Sequence, residues 1–324
     1  MKTCALIISK PGQIALEEIE IPEPGPGEVL VEVEYSCISP GTELRVLAGK
    51  QTGAPAFPFI PGYSAAGIVS GGGPGTTLKE GTRVFCLGTV RASVAVCWGG
   101  HVAHAVLAEE DVVKIPDNIS LRQAVAAKLC AISYHGVRLS APLPHENVLV
   151  LGLGPIGFFS ALLHKAAGTS VVVIEPNTAR RAIGQAAGLR VIIPEDVAFP
   201  DGADIVVDAT GSPAVLRSAV LHTRVLPPDN HIHPPARLVI QGSYASPPAF
   251  PYDEAFAREV RILVPRDNQR RDLDAVLGFM ARGLLDTTAC VANYGAPANA
   301  PKIYAALASS SHSGITGCFD WKSP

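Results

Sequence analysis

The sequence predicts an α/β fold in which an antiparallel, barrel-like domain is joined to a doubly wound domain with a parallel sheet. Two observations predict it. Residues 1 to about 120 contain short β-type runs separated by Gly and Pro, whereas from Ser120 onward apolar strands alternate with helix-like segments. Strands that are apolar throughout and alternate with helices are typical of a parallel sheet covered on both faces. The 324-residue chain is long enough for two domains.

The first part of the chain has the local pattern of strands and turns. Its predicted strands lie in "VLVEVEY", "AAGIVSGGGPG", "TRVFCLGTV" and "HVAHAVLAEEDVVKIP". The tail, "GITGCFDWKSP", predicts a last strand that returns to this domain. The expected boundaries are therefore 1–120 with 286–324 for the first domain and 121–285 for the second.

The second part of the chain alternates helix and strand. Its segments in order are "SLRQAVAAKLCAISYHGVRL", "NVLVLG", "GPIGFFSALLHKAAG", "SVVVIE", "ARRAIGQAAG", "ADIVVDATG", "RLVIQGSY" and "VRILVP". The segment "LPPDNHIHPPARL" is predicted to be a loop, because prolines flank His231 and His233 and no third ligand candidate for a metal is close in sequence.

A glycine-rich turn follows the apolar run Val148 to Leu151. Gly152 permits a tight turn, Gly154 lets the backbone approach a pyrophosphate, and Gly157 lets the following helix pack closely on the strand. Pro155 and Ile156, inside the same turn, begin the helix whose N-terminus faces the phosphates. A strand before the turn and a helix pattern after it make this short motif a strong prediction of dinucleotide binding.

An acidic residue, Glu175, closes the next predicted strand. Its carboxylate would accept hydrogen bonds from the adenosine ribose and repel a 2′-phosphate, which favours NAD over NADP. Arg180 and Arg181 leave NADP open, because an arginine after the acid can meet a 2′-phosphate. Thr210, Gly211, Gly242 and Ser243 end two further strands and are predicted to approach the nicotinamide ribose and amide.

Composition and charge exclude several classes of protein. The formal net charge of −3 gives no electrostatic reason to expect nucleic acid or an anionic membrane as a partner. The seven cysteines are scattered and never form a CxxC pair, so neither a disulfide framework nor a four-cysteine zinc lobe is expected. The N-terminus lacks the apolar core of a signal peptide and no run is long enough to span a membrane. A cytoplasmic location with reduced thiols is expected.

The order of parts resembles the medium-chain dehydrogenase/reductase superfamily over essentially the whole chain. The resemblance is carried by "PGEVLVEVEYSCISPGTEL", "FPFIPGYSAAGIV", "GTRVF", "GGHVAHAVLAEEDVVKIPDNIS", "GLGPIG" and "VDATGS". It implies a GroES-like catalytic domain, a Rossmann NAD(P)-binding domain and dehydrogenase or reductase activity. Within the superfamily, "SCISPGTEL", "PGYS", "AFAREVRI" and "CFDWK" resemble the branch that contains bacteriochlorophyllide a dehydrogenase.

The chain departs from the zinc-dependent members of the superfamily at their metal ligands. Those members have a Cys before the Gly-Thr-Asp corner, where this chain has Ser39 and Pro40, and a His-Glu pair where it has Tyr63 and Ser64. A catalytic zinc needs three protein ligands with thiolate, imidazole or carboxylate donors. Cys97 and His101 lie four residues apart but lack ligand partners in sequence. No catalytic metal is expected.

Several side chains remain as candidates for handling a substrate proton. The resemblance places the Thr42 hydroxyl at the substrate oxygen and Tyr63 where relatives have a zinc-binding His, so that either hydroxyl could serve there. His101, with His104 nearby, and His135 on the helix that enters the second domain are alternative bases. Glu43 is expected mainly to tie its own loop. Lys128 is expected to face solvent.

Three functions are consistent with these features. The preferred one is zinc-independent hydride transfer between NAD and a secondary alcohol or ketone of a biosynthetic intermediate, a small-molecule substrate. The alternatives are reduction of a conjugated carbon–carbon double bond with NADPH, and cofactor binding without turnover. The segment Arg258 to Pro265 is predicted to be the last strand of the parallel sheet, and its exposed edge favours a homodimer over a monomer.

Overall fold

The computed structural model describes residues 1–226, 234–244, 248–291, 294–309, 312 and 314–323. His231 and His233 lie outside this part of the chain. The described residues form two compact units, Met1–Lys128 with Leu273–Pro324, and Leu129–Asp272.

The N-terminal segment of the first unit contains most of the strands of that unit. In chain order its N-terminal elements are β1 (Lys2–Lys10), β2 (Gln13–Glu20), β3 (Glu28–Cys37), α1 (Pro40–Leu47), β4 (Phe59–Ile60), β5 (Ala65–Gly72), β6 (Arg83–Cys86), β7 (Ala95–Val96), β8 (His104–Ala108), β9 (Val113–Lys114) and α2 (Leu121–Ala124).

The second unit alternates strand and helix. Its elements are α3 (Ala127–Ser140, which starts in the first unit), β10 (Asn147–Leu151), α4 (Pro155–Ala166), β11 (Ser170–Ile174), α5 (Thr178–Ala186), β12 (Arg190–Ile192), β13 (Ile205–Asp208), α6 (Pro213–Ala219), β14 (Arg237–Ile240), α7 (Tyr252–Ala257) and β15 (Arg261–Leu263). The chain then continues with α8 (Arg270–Ala281), β16 (Tyr294–Gly295), α9 (Ala300–Ala308) and β17 (Cys318–Asp320).

The sheets of the first unit are largely antiparallel. One sheet has the strand order β2-β1-β4-β7, and the other has the order β16-β17-β3-β5-β6-β9, with β8 also paired to β3. The predicted return of the tail is present, because Cys318 of β17 lies opposite Cys37 of β3 in an antiparallel pair. Apolar side chains of β1, β3 and β5, among them Ile7, Val31 and Val69, fill the core beneath these strands.

The second unit has a single parallel sheet among its described residues. The strand order is β12-β11-β10-β13-β14-β15, and every pairing within it is parallel. This is the doubly wound order of a Rossmann fold, in which ligands bind at the carboxyl ends of the strands where the order reverses. Here that point lies between β10 and β13. The predicted α/β class, with a largely antiparallel part and a doubly wound parallel sheet, is confirmed.

The division into units falls at other residues than the sequence boundaries 120 and 286. Residues after Ser120 stay with the first unit, because Ser64 donates to the Val125 carbonyl at 2.6 Å and Thr287 donates to the Gln123 carbonyl at 3.0 Å. Asn118 likewise holds the end of α8 through the Ala281 carbonyl at 2.7 Å. Tertiary hydrogen bonds of this kind leave no trace in the local pattern from which boundaries are predicted.

Two further features concern the chain as a whole. Cys4 is exposed and the remaining cysteines are buried thiols. Within the described residues, no helix combines the length and the hydropathy that crossing a membrane requires.

Candidate active site

In the first unit, a fully buried carboxylate lies at the centre of a hydrogen-bond network. Glu43, on α1, accepts from the Ser39 backbone N–H at 2.7 Å through Oε1. Its other oxygen accepts from His101 Nε2 at 2.8 Å and from the Tyr304 hydroxyl at 2.5 Å. Glu43 therefore ties the loop before α1 to two side chains that are distant in sequence.

His101 is held at both ring nitrogens. Its Nδ1 lies 2.8 Å from Ser36 Oγ, which in turn accepts from Trp321 Nε1 at 2.9 Å. Because Glu43 can only accept as a carboxylate, Nε2 carries a proton. A Cβ at Gly62 would lie 2.6 Å from the imidazole, so only glycine fits against the ring. The candidate base His101 is thus fully buried and engaged, and its nitrogens are not available to a substrate.

The charge of Glu43 affects its neighbours. Burial and the nearby Glu43 carboxylate together raise the pKa of Tyr304 well above its ordinary value, so its phenol stays a donor. The same two causes raise the pKa of the Cys97 thiol to about 11. Cys97 is therefore a neutral thiol rather than a thiolate ligand at neutral pH.

Tyr63 and Ser39 form a hydroxyl pair on the loop beside this network. The Tyr63 hydroxyl donates to Ser39 Oγ. The Tyr63 ring packs edge-on against Trp98 with centroids 5.2 Å apart. Thr42 lies one turn into α1, half-buried, and its N–H donates to the Ser39 carbonyl at 3.2 Å. The structure thus brings Thr42, Glu43, Tyr63 and His101 into one region and adds Ser39 to them.

The other histidine and lysine candidates of this unit lie elsewhere. His104, on β8, is 3.0 Å from the Thr3 hydroxyl. Lys128 is 7% exposed, so the expectation that it faces solvent is wrong. Its position at the start of α3, where the helix runs into the interior, buries a side chain that helical spacing alone did not mark as buried.

In the second unit, His135 belongs to a cluster with an acid and an arginine. Its Nδ1 is 3.0 Å from Asp272 Oδ2 and 2.8 Å from Arg138 Nη2, while Arg138 Nε donates to the other Asp272 oxygen at 3.0 Å. Burial tends to raise the pKa of Asp272, but hydrogen bonds from Arg138, the Gln269 N–H and His135 outweigh it and lower the pKa. The candidate base His135 is therefore oriented through Nδ1.

The glycine turn has the geometry that its sequence predicts. Gly152 has a φ of +89°, a conformation that favours glycine. A Cβ at Gly157 would lie 2.0 Å from the Gly152 carbonyl oxygen, whereas one at Gly154 would meet nothing within 4 Å. Gly154 precedes α4, whose first turn contains Pro155 and Ile156, and among the described residues no side chain caps this helix. Its N-terminal N–H groups fit an anion such as a pyrophosphate.

Glu175 lies directly against this turn. Its Oε2 accepts from the Leu153 N–H at 2.6 Å and its Oε1 accepts from the Asn177 N–H at 2.8 Å. Arg181 folds back onto the Glu175 and Pro176 carbonyls, with Nη1 3.1 Å from the Glu175 oxygen, and the Arg180 side chain is half-buried. An acid so placed fits the ribose hydroxyls of a dinucleotide.

The ends of β13 and β14 pack closely on each other. A Cβ at Gly242 would lie 2.4 Å from the Gly211 nitrogen, and one at Gly211 would lie 2.6 Å from the Ser243 carbonyl oxygen. Buried Asp208 accepts from the Thr210 hydroxyl at 2.6 Å and from the Tyr244 hydroxyl at 2.5 Å. Burial and this bond to Asp208 raise the pKa of Tyr244, which keeps its hydroxyl protonated.

Sequence reasoning missed several residues of both regions. Tyr304 contacts Glu43 only through tertiary pairing, and no local pattern marks it. Ser36 begins the quoted segment "SCISPGTEL", but that segment does not reveal its contact with His101. Trp321 and Asp208 lie inside the quoted segments "CFDWK" and "VDATGS", so a buried polar partner could have been sought there. Tyr244 likewise ends the quoted segment "RLVIQGSY", whereas no quoted segment contains Asp272.

Ser39, Pro40, Tyr63 and Ser64 stand where the family resemblance implies zinc ligands, and none of them is a Cys, His, Asp or Glu. Ser39 and Tyr63 bond to each other, Ser64 donates to a backbone carbonyl, and Pro40 has no donor atom. Across the described parts of the chain, no group of three or more His, Cys, Asp and Glu side chains could hold a metal ion.

A Rossmann sheet with a dinucleotide-type glycine turn, together with a GroES-like barrel, defines a two-domain dehydrogenase. Residues 25–117 match the alcohol dehydrogenase GroES-like domain. The chain is 30% identical over 314 residues to 2-desacetyl-2-hydroxyethyl bacteriochlorophyllide A dehydrogenase of Cereibacter sphaeroides, covering 94% of each chain. It belongs to the medium-chain dehydrogenase/reductase superfamily and resembles the branch that contains this enzyme.

The chain is also similar to a second relative and, in its fold, to a solved structure. An alcohol dehydrogenase of Geobacillus stearothermophilus is 27% identical, with 86% of this chain and 88% of the relative covered. The solved structure of acetophenone reductase from Geotrichum candidum NBRC 4597 in complex with NAD has a TM-score of 0.83 at 18% identity, and the match covers 98% of this chain and 97% of that one. The protein is a dehydrogenase of the medium-chain alcohol dehydrogenase type.

Proposed function

We propose that this protein is a zinc-independent, NAD-dependent dehydrogenase that interconverts a secondary alcohol and a ketone of a biosynthetic intermediate. The observation that carries the proposal is the hydroxyl pair that Tyr63 forms with Ser39. The family resemblance implies that zinc-dependent members have metal ligands at these places. A hydroxyl group can donate a hydrogen bond to the alkoxide oxygen that develops during hydride transfer, and it can pass a proton to that oxygen. It can therefore stabilise the alkoxide without a metal ion. The substrate of the Cereibacter sphaeroides relative, by its name, carries a hydroxyethyl group, which supports a secondary alcohol.

The second unit supplies the cofactor site in this proposal. The α4 N-terminus and the glycine turn would hold the pyrophosphate, Glu175 the adenosine ribose, and the Gly211 and Gly242 ends the nicotinamide. When bound, the nicotinamide supplies or accepts the hydride. The protein residues orient the substrate and move the proton.

Cofactor titration tests the adenosine end of the site. We expect NADH, followed by fluorescence, to bind at least about tenfold more tightly than NADPH, a difference of about 1.4 kcal/mol, because the Glu175 carboxylate repels a 2′-phosphate. Tighter binding of NADPH by the same factor would instead favour the reduction of carbon–carbon double bonds. Glu175→Gln should narrow the difference, because it removes the charge and keeps one acceptor oxygen.

Metal analysis combined with an activity screen tests the proposed reaction and the proposed independence from zinc. Purified protein should oxidise a secondary alcohol or reduce a ketone, and should retain that activity after chelation. Stoichiometric zinc that leaves together with activity would contradict the metal-free part. Cofactor binding without turnover of any alcohol, ketone or enone would indicate a nucleotide-binding protein. The proposed cytoplasmic location and homodimer are separate from this test.

A further inference from the structure

Ser39 occupies a helix-capping position without acting as a cap. It directly precedes α1, where a serine oxygen usually accepts from an N–H of the first helical turn. Among the described contacts its side chain makes no such bond. Glu43 instead accepts from the Ser39 N–H, and Ser39 Oγ accepts from Tyr63. The hydroxyl is thus directed away from the helix and toward the phenol.

The Tyr63–Ser39 pair has one hydroxyl hydrogen that is not used between the two residues. The phenol is the stronger acid, with an ordinary pKa of about 10, so Tyr63 donates and Ser39 accepts. The hydrogen of the Ser39 hydroxyl is then left for a third group. In the described part of the chain, the Ser39 side chain has a hydrogen bond to Tyr63 alone. The pair therefore has one donor for a ligand, the Ser39 hydroxyl. This hydroxyl in turn accepts a hydrogen bond from the more acidic Tyr63 phenol.

We propose that Ser39 is a catalytic residue whose hydroxyl contacts the substrate oxygen, and that Tyr63 is a positioning residue that resupplies its proton. This rests on the proposed function. In ketone reduction, the carbonyl carbon gains a hydride with its electron pair, and the carbonyl oxygen takes the Ser39 proton. Ser39 takes the Tyr63 proton in turn. Tyr63 is left as a phenolate until water returns a proton, and alcohol oxidation reverses each step.

The surroundings of the pair suit this role. The Ser39 backbone is fixed by Glu43, which His101 and Tyr304 hold in the buried network. Trp98 holds the Tyr63 ring from its edge. Arg45 interacts electrostatically with Tyr63, and a cation there stabilises negative charge on the phenolic oxygen. A donor held in place before reaction needs little reorganisation in the transition state.

The test compares Ser39→Ala, Ser39→Thr and Tyr63→Phe with wild type and with Ser70→Ala, a control that removes an exposed serine hydroxyl from β5. For each protein we would measure NADH affinity, melting temperature, kcat for ketone reduction, and the affinity of the NADH complex for a small branched amide. The amide carbonyl mimics the ketone but accepts no hydride, so its binding reports the hydroxyl contact without turnover.

Ser39→Ala should lower kcat by about 10²-fold to 10³-fold and amide affinity by about tenfold, with NADH affinity and melting temperature unchanged. Ser39→Thr should restore most of both losses. Tyr63→Phe should lower kcat but keep amide affinity, because Ser39 still donates. Combining Ser39→Ala with Tyr63→Phe should cost no more than Ser39→Ala alone, because the two residues act as a unit.

Two results would overturn the proposal. In the first, Ser39→Ala keeps the kcat and the amide affinity of wild type. In the second, Ser39→Ala lowers kcat, NADH affinity and melting temperature together, which would show a structural role for Ser39. If wild type binds NADH but reduces no ketone, the proposed function fails first. Amide affinity then decides Ser39 separately, since equal affinity in wild type and Ser39→Ala refutes the contact.

Discussion

Two buried polar residues of the first unit are held by complete sets of hydrogen-bond partners. Glu43 and His101 are both fully buried, and each polar atom of the two side chains has a hydrogen-bond partner. A buried charge that loses one partner keeps its desolvation cost, so its neighbours depend on it strongly. His101, one of several candidate bases predicted from the sequence, is therefore part of a buried network that also holds the Ser39 loop.

Removing the His101 imidazole should be costly for folding. We expect His101→Leu to lower the free energy of unfolding by about 3–5 kcal/mol, because the buried Glu43 carboxylate loses a donor. Tyr304→Phe, which removes one hydroxyl beside the same carboxylate, should cost about 1–3 kcal/mol. Urea unfolding measures both, and an equal or smaller loss in His101→Leu would argue against a buried charged network.

His164 makes stability depend on pH. It is fully buried on α4, with Nδ1 2.8 Å from the Ser160 carbonyl and Nε2 3.3 Å from the Ser140 hydroxyl. Burial, opposed by the bond to Ser160 and aided by Arg237, lowers the pKa of His164 to about 4. The unfolded chain, with a pKa of about 6.5 at this residue, binds the proton more readily.

The free energy of unfolding should therefore fall as the pH drops from about 6.5 to about 4, by about 3 kcal/mol from this residue. His164→Gln should lose that part of the pH dependence, as followed by urea unfolding at pH 7, 5.5 and 4.5. Parallel curves for wild type and variant would show that His164 does not contribute.

At the scale of elements, Gly154 and Gly157 of the β10–α4 turn differ in how much space surrounds the missing Cβ. Gly157 is needed for packing, because a Cβ there would collide with the Gly152 carbonyl. Gly154 has an ordinary φ of −72° and open space around its missing Cβ. The fold therefore does not require a glycine here, and we propose that it serves the approach of a ligand.

A matched pair of substitutions tests that separation. Gly154→Ala should leave the melting temperature unchanged and weaken NADH binding, by about tenfold for one lost phosphate contact. Gly157→Ala should lower both, because the helix must move away from the strand. Fluorescence titration and thermal melting give the two readouts, and unchanged NADH affinity in Gly154→Ala would contradict a pyrophosphate at this turn.

At the scale of the whole molecule, the parallel sheet ends in an apolar edge. β15 is the last strand of the sheet. Ile262 within this strand is 41% exposed, and Val264 directly after it is 70% exposed. Tyr252 and Phe256, on α7 of the same unit, are also exposed and stack on each other at 5.9 Å. An open edge of this kind pairs readily with a second chain.

We expect light scattering at micromolar concentration to give twice the mass of one chain. Ile262→Lys should halve it, because a charge on the edge strand opposes pairing. Val197→Lys, which changes an exposed valine away from β15 in the same unit, is the control and should leave the mass doubled. A wild-type mass of one chain, unchanged on tenfold concentration, would show a monomer.

The sequence by itself determined the fold class, the glycine turn and the acid beside it. These features follow from short-range rules, since strand and helix periodicity and positive φ depend on neighbouring residues. It also indicated Tyr63 and Thr42, though only through resemblance to a family.

The tertiary structure alone shows the contacts of the polar candidates. Trp321 reaches Ser36 across 285 residues of chain, and Tyr304 reaches Glu43 across 261. Contacts over such separations depend on how sheets pack, which no spacing records. The sequence therefore offered His101 only as one candidate base among several, and it predicted that Lys128 is exposed. The pairing of Tyr63 with Ser39, on which both proposals rest, likewise exists only because β3, α1 and the loop before β5 fold together.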